Sequence, residues 1–249
     1  MAKPQYLNHA PITEALIDIQ VEKQEELSFV GLQEAFNNLD FGYYLKNKIS
    51  LNTFGFKVTS DGHETHSSSE AKQIGIRLHS SDEKYVAQFR LTGFTLSRLP
   101  PYENWETLIA EAKRIWSVYN DRTAPIQITR IATRFINNLQ LPLENGEAFQ
   151  VYLQKLADVP DEVPQSLSSF FQQFQLVDTT TKASVNLTLA LESIQPSEPA
   201  PVILDVDAFI FSDLAPEDQK LWKILENLRE LKNRCFFGSL TDNAVELYK

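Results

Sequence analysis

The chain contains the same short segment twice, 115 residues apart, at positions 94 and 209. The two copies are residues 94–103 (FTLSRLPPYE) and residues 209–218 (FIFSDLAPED). Each contains the pattern Phe-x-apolar-Ser-x-Leu-x-Pro, with an acidic residue two positions after the last proline, and each leads into a stretch with helical apolar spacing. A strand-to-helix corner that occurs twice predicts a duplicated fold, in which Phe94 corresponds to Phe209.

The segments around the two corners follow the same order. Apolar residues that alternate with polar ones predict strands at residues 15–22, 54–58, 74–78 and 85–96, and again at 128–139, 170–177, 185–191 and 202–211. Helical spacing predicts helices at 28–39, 105–119, 148–156 and 221–235, with Gly238 as the final C-cap. The stripes of the two long helices match at an offset of 116, except that Trp116 corresponds to Lys232.

These patterns predict an α+β protein built from a duplicated β-α-β-β-β-α unit. The repeats would cover residues 11–121 and 125–249 and would form a single structural unit over residues 1–249. Polar turns between the strands predict antiparallel pairing, in one sheet of about eight strands with the long helices packed on its apolar face. This order of elements is similar to saddle-like folds with pseudo-twofold symmetry, such as that of the TATA-binding protein.

Composition restricts the classes of protein to consider. Apolar residues make up 43% of 249 residues, which is enough for a sizeable core. The single cysteine, Cys235, allows no intramolecular disulfide, as is usual in a reducing compartment. The N-terminal sequence has no signal-peptide pattern and no segment reaches the ~20 apolar residues of a membrane span, so we expect a cytoplasmic protein.

The formal net charge of −10 disfavours general binding to nucleic acids and to anionic membranes, because the field of the whole molecule repels both. A local basic groove is still compatible with that charge.

Motifs of known chemistry are absent from the sequence: it has no glycine-rich phosphate loop, G-x-S-x-G or H-E-x-x-H pattern. His63 and His66 lie in a polar loop without further ligands, so we interpret them as solvated rather than metal-binding. Cys235 lies on an apolar helix stripe near the helix C-terminus, where neither burial nor the dipole activates a thiolate. We therefore expect no catalytic residues, no metal site and no cofactor.

The polar face of the predicted sheet is the candidate functional surface. Strand alternation places seven charged side chains on it, namely Arg77, Arg90, Arg130, Arg134, Asp18, Asp205 and Asp207. One interpretation is a set of cross-strand ion pairs on an open face. The other is a groove in which arginine side chains bind an anionic ligand, a peptide or a nucleic acid.

Four blocks of the sequence carry a resemblance. They are residues 10–18 (APITEALID), 96–105 (LSRLPPYENW), 130–137 (RIATRFIN) and 231–237 (LKNRCFF). Together they resemble a sporadically distributed family of uncharacterised bacterial proteins of about 250 residues. The resemblance implies a bacterial cytoplasmic protein and transfers no activity or site residue.

The sequence thus predicts a non-enzymatic binding or interaction protein that uses the polar sheet face or a sheet edge. Its partner would be an unknown protein or a small anionic ligand, with nucleic acid disfavoured by charge and no membrane partner. The alternative is an enzyme or a nucleic-acid-processing accessory factor, of a defence-linked kind, that uses the Arg/Asp cluster.

Overall fold

The computed structural model describes residues 2–37, 41–57, 66–143, 148–156, 159–160, 162–164, 167–191 and 199–249, with backbone only for 52–57 and 66–71. The strands are β1 (Ile12–Val21), β2 (Tyr43–Lys57), β3 (His66–Ser80), β4 (Tyr85–Arg90), β5 (Gly93–Arg98), β6 (Ile128–Leu141), β7 (Phe170–Val177), β8 (Ser184–Leu191) and β9 (Ala200–Leu214). The helices are α1 (Phe29–Phe36), α2 (Trp105–Thr123), α3 (Lys220–Ser239) and α4 (Asp242–Glu246), and a single 3-10 turn covers Phe149–Val151.

The described strands form one antiparallel sheet in the order β2-β3-β4-β5-β1-β6-β9-β8-β7. The two halves of the chain meet where β1 pairs with β6, with Ile17 opposite Thr133. The predicted α+β class and the antiparallel sheet are confirmed. The described strands number nine rather than about eight.

The additional strand comes from a tight hairpin inside the segment that the sequence suggested was one strand, residues 85–96. β4 and β5 pair with each other, with Arg90 opposite Gly93, so the chain reverses at Leu91 and Thr92. Gly93 has a φ of 148° and lies so close to β1 that a Cβ atom would be 2.5 Å from the carbonyl oxygen of Ile19. Only glycine fits this close approach without strain, and alternation alone did not reveal it.

The helices pack on one face of the sheet. In α2, Trp116 and Tyr119 contact Phe94 of β5, with ring centroids 6.0 and 6.3 Å apart. α3 packs on β6 and β9, and its Leu225 is fully buried. The predicted stripes of α2 and α3 are therefore confirmed as core. None of the helices in the described part of the chain is long and apolar enough to cross a membrane.

Identifiable residues mark both ends of α2. The Asn104 side chain accepts a hydrogen bond from the N–H of Thr107 and caps the start of α2. At its end, Ala124 adopts a left-handed conformation and Pro125 follows. Gly238 is not a C-cap, because α3 continues to Ser239 and its cap is Leu240.

The predicted helix at residues 148–156 is wrong. Only one 3-10 turn forms there, and the chain after it is extended, since Leu153 forms a β-bridge with Leu240. The N–H of Gln154 donates to the carbonyl of Ser239, and the N–H of Thr241 donates to the carbonyl of Tyr152. These bonds to a distant segment replace those that a helix would make.

The predicted correspondence of Phe94 with Phe209 is also wrong. Phe94 lies opposite Ile19 on the helix-covered face, whereas Phe209 lies opposite Ala132 on the other face. At an offset of 116, the residue that corresponds to Phe94 is Ile210, which lies opposite Ile131 on the helix-covered face. This is the offset that relates the two long helices.

Candidate functional site

Six of the seven predicted charged residues lie together on the sheet face opposite the helices. This cluster, the ion-pair face, consists of Asp18 on β1, Arg90 on β4, Arg130 and Arg134 on β6, and Asp205 and Asp207 on β9. The strand register brings them together, because Arg134 lies opposite both Leu16 and Asp207, and Arg130 lies opposite Gln20.

Asp18 is at the centre of the ion-pair face and is only 8% exposed. Its Oδ1 accepts hydrogen bonds from Nη2 of Arg90 and from the Thr95 hydroxyl, both at 2.6 Å. Its Oδ2 accepts one from Nη1 of Arg130 at 3.2 Å. One carboxylate thus joins two arginines from strands on either side of it.

Arg130 continues the chain of charges to β9. Its Nη2 lies 3.0 Å from Oδ2 of Asp207, and its guanidinium lies over the Phe209 ring, 4.4 Å from the centroid. The pKa of Asp207 is raised, because the effect of burial outweighs the opposing effect of the neighbouring Arg130. The same carboxylate also accepts a hydrogen bond from the Asn186 amide.

Arg134 forms a separate bidentate pair with Asp205. Its Nε lies 2.8 Å from Oδ1 and its Nη2 lies 2.5 Å from Oδ2. This hydrogen-bonded pairing raises the pKa of Arg134. The Arg134 side chain is 43% exposed, more than any other member of the cluster.

Arg77 does not join the cluster. It lies on the same face, opposite Gln88, but it forms no ion pair with any described residue. Its Nε is buried and has no hydrogen-bond acceptor among them. The structure therefore separates Arg77 from the other predicted site residues.

The charges of the ion-pair face balance, with three arginines against three aspartates. Each arginine is within 3.2 Å of a carboxylate oxygen. An anionic ligand would have to displace an aspartate that its arginine already binds, and the displaced carboxylate would stay partly buried. This geometry favours the ion-pair interpretation of the surface over the anion-groove interpretation.

A cavity of about 430 Å³ lies on the helix side of the sheet. We call it the Lys232 cavity. Its walls come from the N-terminal segment, the start of α2, the strand β6 and the second half of α3. Its apolar lining includes Tyr102, Trp105, Phe135, Phe236 and Phe237.

Lys232 is the unusual residue of this cavity, since it is a lysine that is only 7% exposed. Its Nζ lies 3.7 Å from the centroid of the Phe135 ring and 2.5 Å from Oδ1 of Asn233. No carboxylate of a described residue lies within ion-pair distance of it. Burial, with a smaller effect of the nearby Arg229, lowers the pKa of Lys232 to about 7.

The other charged groups at the cavity already have partners. Arg229 lies 3.5 Å from Glu106 and 3.6 Å from Glu226. Glu103 accepts a hydrogen bond from Arg98 at 3.0 Å. Lys232 is therefore the one charged group lining the cavity without a counter-ion in the described part of the chain.

The sequence contained a signal for this residue. At an offset of 116, every apolar position of the α2 stripe has an apolar counterpart on α3, except that Lys232 takes the place of Trp116. A lysine in the middle of a core stripe lowers the stability of the fold unless a counter-ion balances its charge. A lysine that is kept there without a counter-ion therefore suggests a functional role.

The edge strand β7 is a second surface of interest. It carries no charged residue, and Phe171, Phe174, Leu176 and Val177 are between 43% and 70% exposed. β7 ends the sheet, and no described strand lies beyond it. Uncharged edges with exposed apolar side chains are templates for pairing with another chain.

The sequence predicts no metal-binding or catalytic role for His63, His66 and Cys235. The side chains of His63 and His66 lie outside the described residues. Burial raises the pKa of the Cys235 thiol, which disfavours a thiolate nucleophile. Among the described residues, no three His, Cys, Asp or Glu side chains are grouped so that they could hold a metal ion.

No model of a known protein family matches the chain, and no curated protein is significantly similar to it in sequence.

Proposed function

We propose that this chain is a binding protein whose small-molecule ligand occupies the Lys232 cavity. The observation that carries the proposal is a buried lysine that lines a cavity and has no carboxylate partner among the described residues. Pockets of about 300–1,000 Å³ with apolar walls and a few polar groups are typical of ligand sites. A perturbed pKa in such a pocket is a further mark of a functional position.

The ion-pair face supports a structural role better than a catalytic one. Its arginines and aspartates neutralise one another, which argues against the alternative of an enzyme or a nucleic-acid-processing factor at that face. The net charge of −10 argues in the same direction for nucleic acids.

Native mass spectrometry of the protein, purified without denaturation from its source cells, tests this proposal. We expect a bound small molecule on the wild type and on Arg134→Met, a variant of the ion-pair face, and its loss from Lys232→Met. A bound molecule that is lost from Arg134→Met and kept by Lys232→Met would overturn the proposal. So would the absence of bound small molecules from all three proteins.

A second candidate function is the addition of a partner strand at β7. Hydrogen bonds to the neighbouring strand alternate along an antiparallel strand. Asp178, just after β7, donates its N–H to the carbonyl of Ala183, so the N–H groups of Gln175 and Val177 point to the open edge. These groups, together with the exposed side chains of Phe174 and Leu176, would bind an extended segment of another protein.

The variant Gln175→Pro removes one outward N–H and leaves the bonds to β8 in place, as edge strands tolerate. Gln175→Ala is the matched control, since it changes the side chain and keeps the N–H. We expect a partner protein to be recovered from source cells with wild type and Gln175→Ala and to be lost with Gln175→Pro. Equal recovery with all three chains would contradict strand addition.

We also propose that the fold is a duplicated, saddle-like unit with pseudo-twofold symmetry, with repeats at residues 11–121 and 125–249. The strand order supports it: β3-β4-β5-β1 in the first half follows the same order as β7-β8-β9-β6 in the second. β2 is an addition to the first half. An experimental structure in which α2 and α3 fail to superimpose along with these strands would contradict duplication.

The resemblance to the sporadic bacterial family and the single cysteine support a bacterial, cytoplasmic protein as part of the proposal. Fluorescence microscopy of the tagged full-length chain in its source cells tests the location, and a signal at the cell envelope would contradict it.

A further inference from the structure

We propose that the ligand of the Lys232 cavity is an organic monocarboxylate with an apolar or aromatic body, bound through its carboxylate to Nζ of Lys232. This inference rests on the proposed function and names the chemical class of its ligand.

The charge of the cavity points to an anion. Nζ of Lys232 has three hydrogen-bond donors, and among described residues only Oδ1 of Asn233 accepts one. A buried ammonium without a counter-ion is unfavourable, and a bound carboxylate would supply the missing charge. The negative charge would also favour the protonated form of the lysine.

The number of charges points to a monoanion. The charged residues that line the cavity are Glu103, Glu106, Arg229 and Lys232. Glu103 is paired with Arg98, and Arg229 is shared between Glu106 and Glu226, so Lys232 is the one cation lining the cavity without a carboxylate partner among the described residues. A dianion such as a phosphate monoester would place its second charge near Glu103 and Glu106 without a cation to match it.

The walls point to an apolar body for the ligand. Beside Lys232, aromatic rings form much of the surface, from Tyr102 and Trp105 at the start of α2 to Phe236 and Phe237 on α3. Such rings offer stacking contacts and large apolar area to a hydrocarbon or aromatic group.

One polar group in the cavity wall is also available. The Asn137 amide donates to the carbonyls of Phe135 and Leu204, and its Oδ1 accepts no hydrogen bond from a described residue. Asn137 lines the cavity and is 2% exposed. It would accept a hydrogen bond from a hydroxyl or amine substituent of the ligand, which adds selectivity among carboxylates.

Three probes of similar size separate the possible ligand classes: 3-phenylpropionate, its neutral analogue 3-phenylpropan-1-ol, and the dianion of 2-phenylethyl phosphate. Each is titrated into the full chain, and the indole N–H signal of Trp105, which lines the cavity, is followed by NMR. We expect the carboxylate to bind about 10- to 100-fold more tightly than the alcohol, the range for a charge-assisted hydrogen bond. The phosphate should bind more weakly than the carboxylate.

Lys232→Met keeps an unbranched side chain, one atom shorter than lysine, and removes the charge, so it should abolish the preference for the carboxylate. Lys223→Met is the matched control, because Lys223 is an exposed lysine on the same helix. Its affinities should equal those of the wild type.

Several results would overturn the inference. The ligand class would be wrong if acid and alcohol bound equally, if the phosphate bound more tightly, or if the preference for the carboxylate survived in Lys232→Met. In each of these cases the cavity would still bind ligands. If no probe shifts the Trp105 signal at millimolar concentration but native mass spectrometry finds a molecule that Lys232→Met loses, the class again is wrong. If that molecule is missing as well, the proposed function itself fails.

Discussion

At the scale of single residues, Lys232 is the side chain with the largest conflict between its chemistry and its surroundings. The unfolded chain binds a proton there up to about pH 10.5, whereas in the folded protein the pKa is about 7. Between these two values the unfolded state holds more protons, so this residue makes stability rise with pH across that window.

Lys232→Met should therefore stabilise the protein at pH 7, by on the order of 4 kcal/mol, since the pKa is about 7 rather than 10.5 and each pKa unit corresponds to about 1.4 kcal/mol. The gain should shrink as the pH approaches 10. Urea unfolding of the variant and the wild type at both pH values measures it, with Lys223→Met as the control. A destabilised variant at pH 7 would show that Lys232 has a stabilising partner.

The ion-pair face gives a second prediction at this scale. Arg130→Met leaves the partly buried Asp207 with only the Asn186 amide, so it should cost on the order of 2–3 kcal/mol. Arg134→Met removes a more exposed partner and should cost about 1 kcal/mol or less. Thermal unfolding of the two variants compares them, and equal costs would contradict the different burial of the two pairs.

The sequence predicted which charged side chains share one face of the sheet, but it did not predict the cavity. The difference has a physical reason. A strand alternates strictly, so the parity of Arg130, Arg134, Asp205 and Asp207 follows from their apolar neighbours. Whether an arginine forms an ion pair depends on the register of the neighbouring strands, and parity does not determine that register. Arg77 has the right parity and lies opposite Gln88, where it forms no ion pair with a described residue.

At the scale of elements, the β4–β5 hairpin depends on a single glycine. Gly93→Ala would place a Cβ 2.5 Å from the carbonyl oxygen of Ile19 at a φ of 148°, so it should cost on the order of 2–3 kcal/mol. Gly31→Ala is the matched control, because Gly31 lies inside α1 with room for a methyl group. The control should stabilise by about 0.5–1 kcal/mol. Denaturant midpoints of the two variants that move in the same direction would contradict this account.

The stripe of α3 gives a prediction of its own. Leu225 is fully buried against the sheet, so Leu225→Ala should cost about 2–5 kcal/mol, as other large-to-small core changes do. The exposed Asn227→Ala on the same helix is the control. An unchanged melting temperature of Leu225→Ala would show that the stripe does not pack in the core.

Helical spacing predicted α1, α2 and α3 and failed at residues 148–156. α2 and α3 extend over five turns, and their stripes are unambiguous. Residues 148–156 have similar spacing over a short stretch, and their backbone pairs with residues 239–241 instead. Such long-range pairing is invisible in a local pattern.

At the scale of the whole molecule, the sequence predicted a layer of helices on one face of a sheet, but it did not predict the cavity. One apolar face per strand and one apolar stripe per helix are enough to place the helices on one side of an antiparallel sheet. The cavity is formed by residues 4–12, 102–106, 135–137 and 229–237, which are far apart in the chain. Only the tertiary fold shows that Lys232 opens on a space rather than packing in the core.

The proposed ligand site lies in the Lys232 cavity and not on the ion-pair face. Mapping of amide and indole chemical shifts over the whole chain, during titration with a library of small carboxylic acids, tests it most directly. We predict that the signals of Tyr102, Trp105 and Asn233 shift together and saturate, while those of Gln20, Thr95 and Asn186 stay unchanged. Saturable shifts of Gln20, Thr95 and Asn186, with an unperturbed cavity, would contradict the claim and return the site to the ion-pair face.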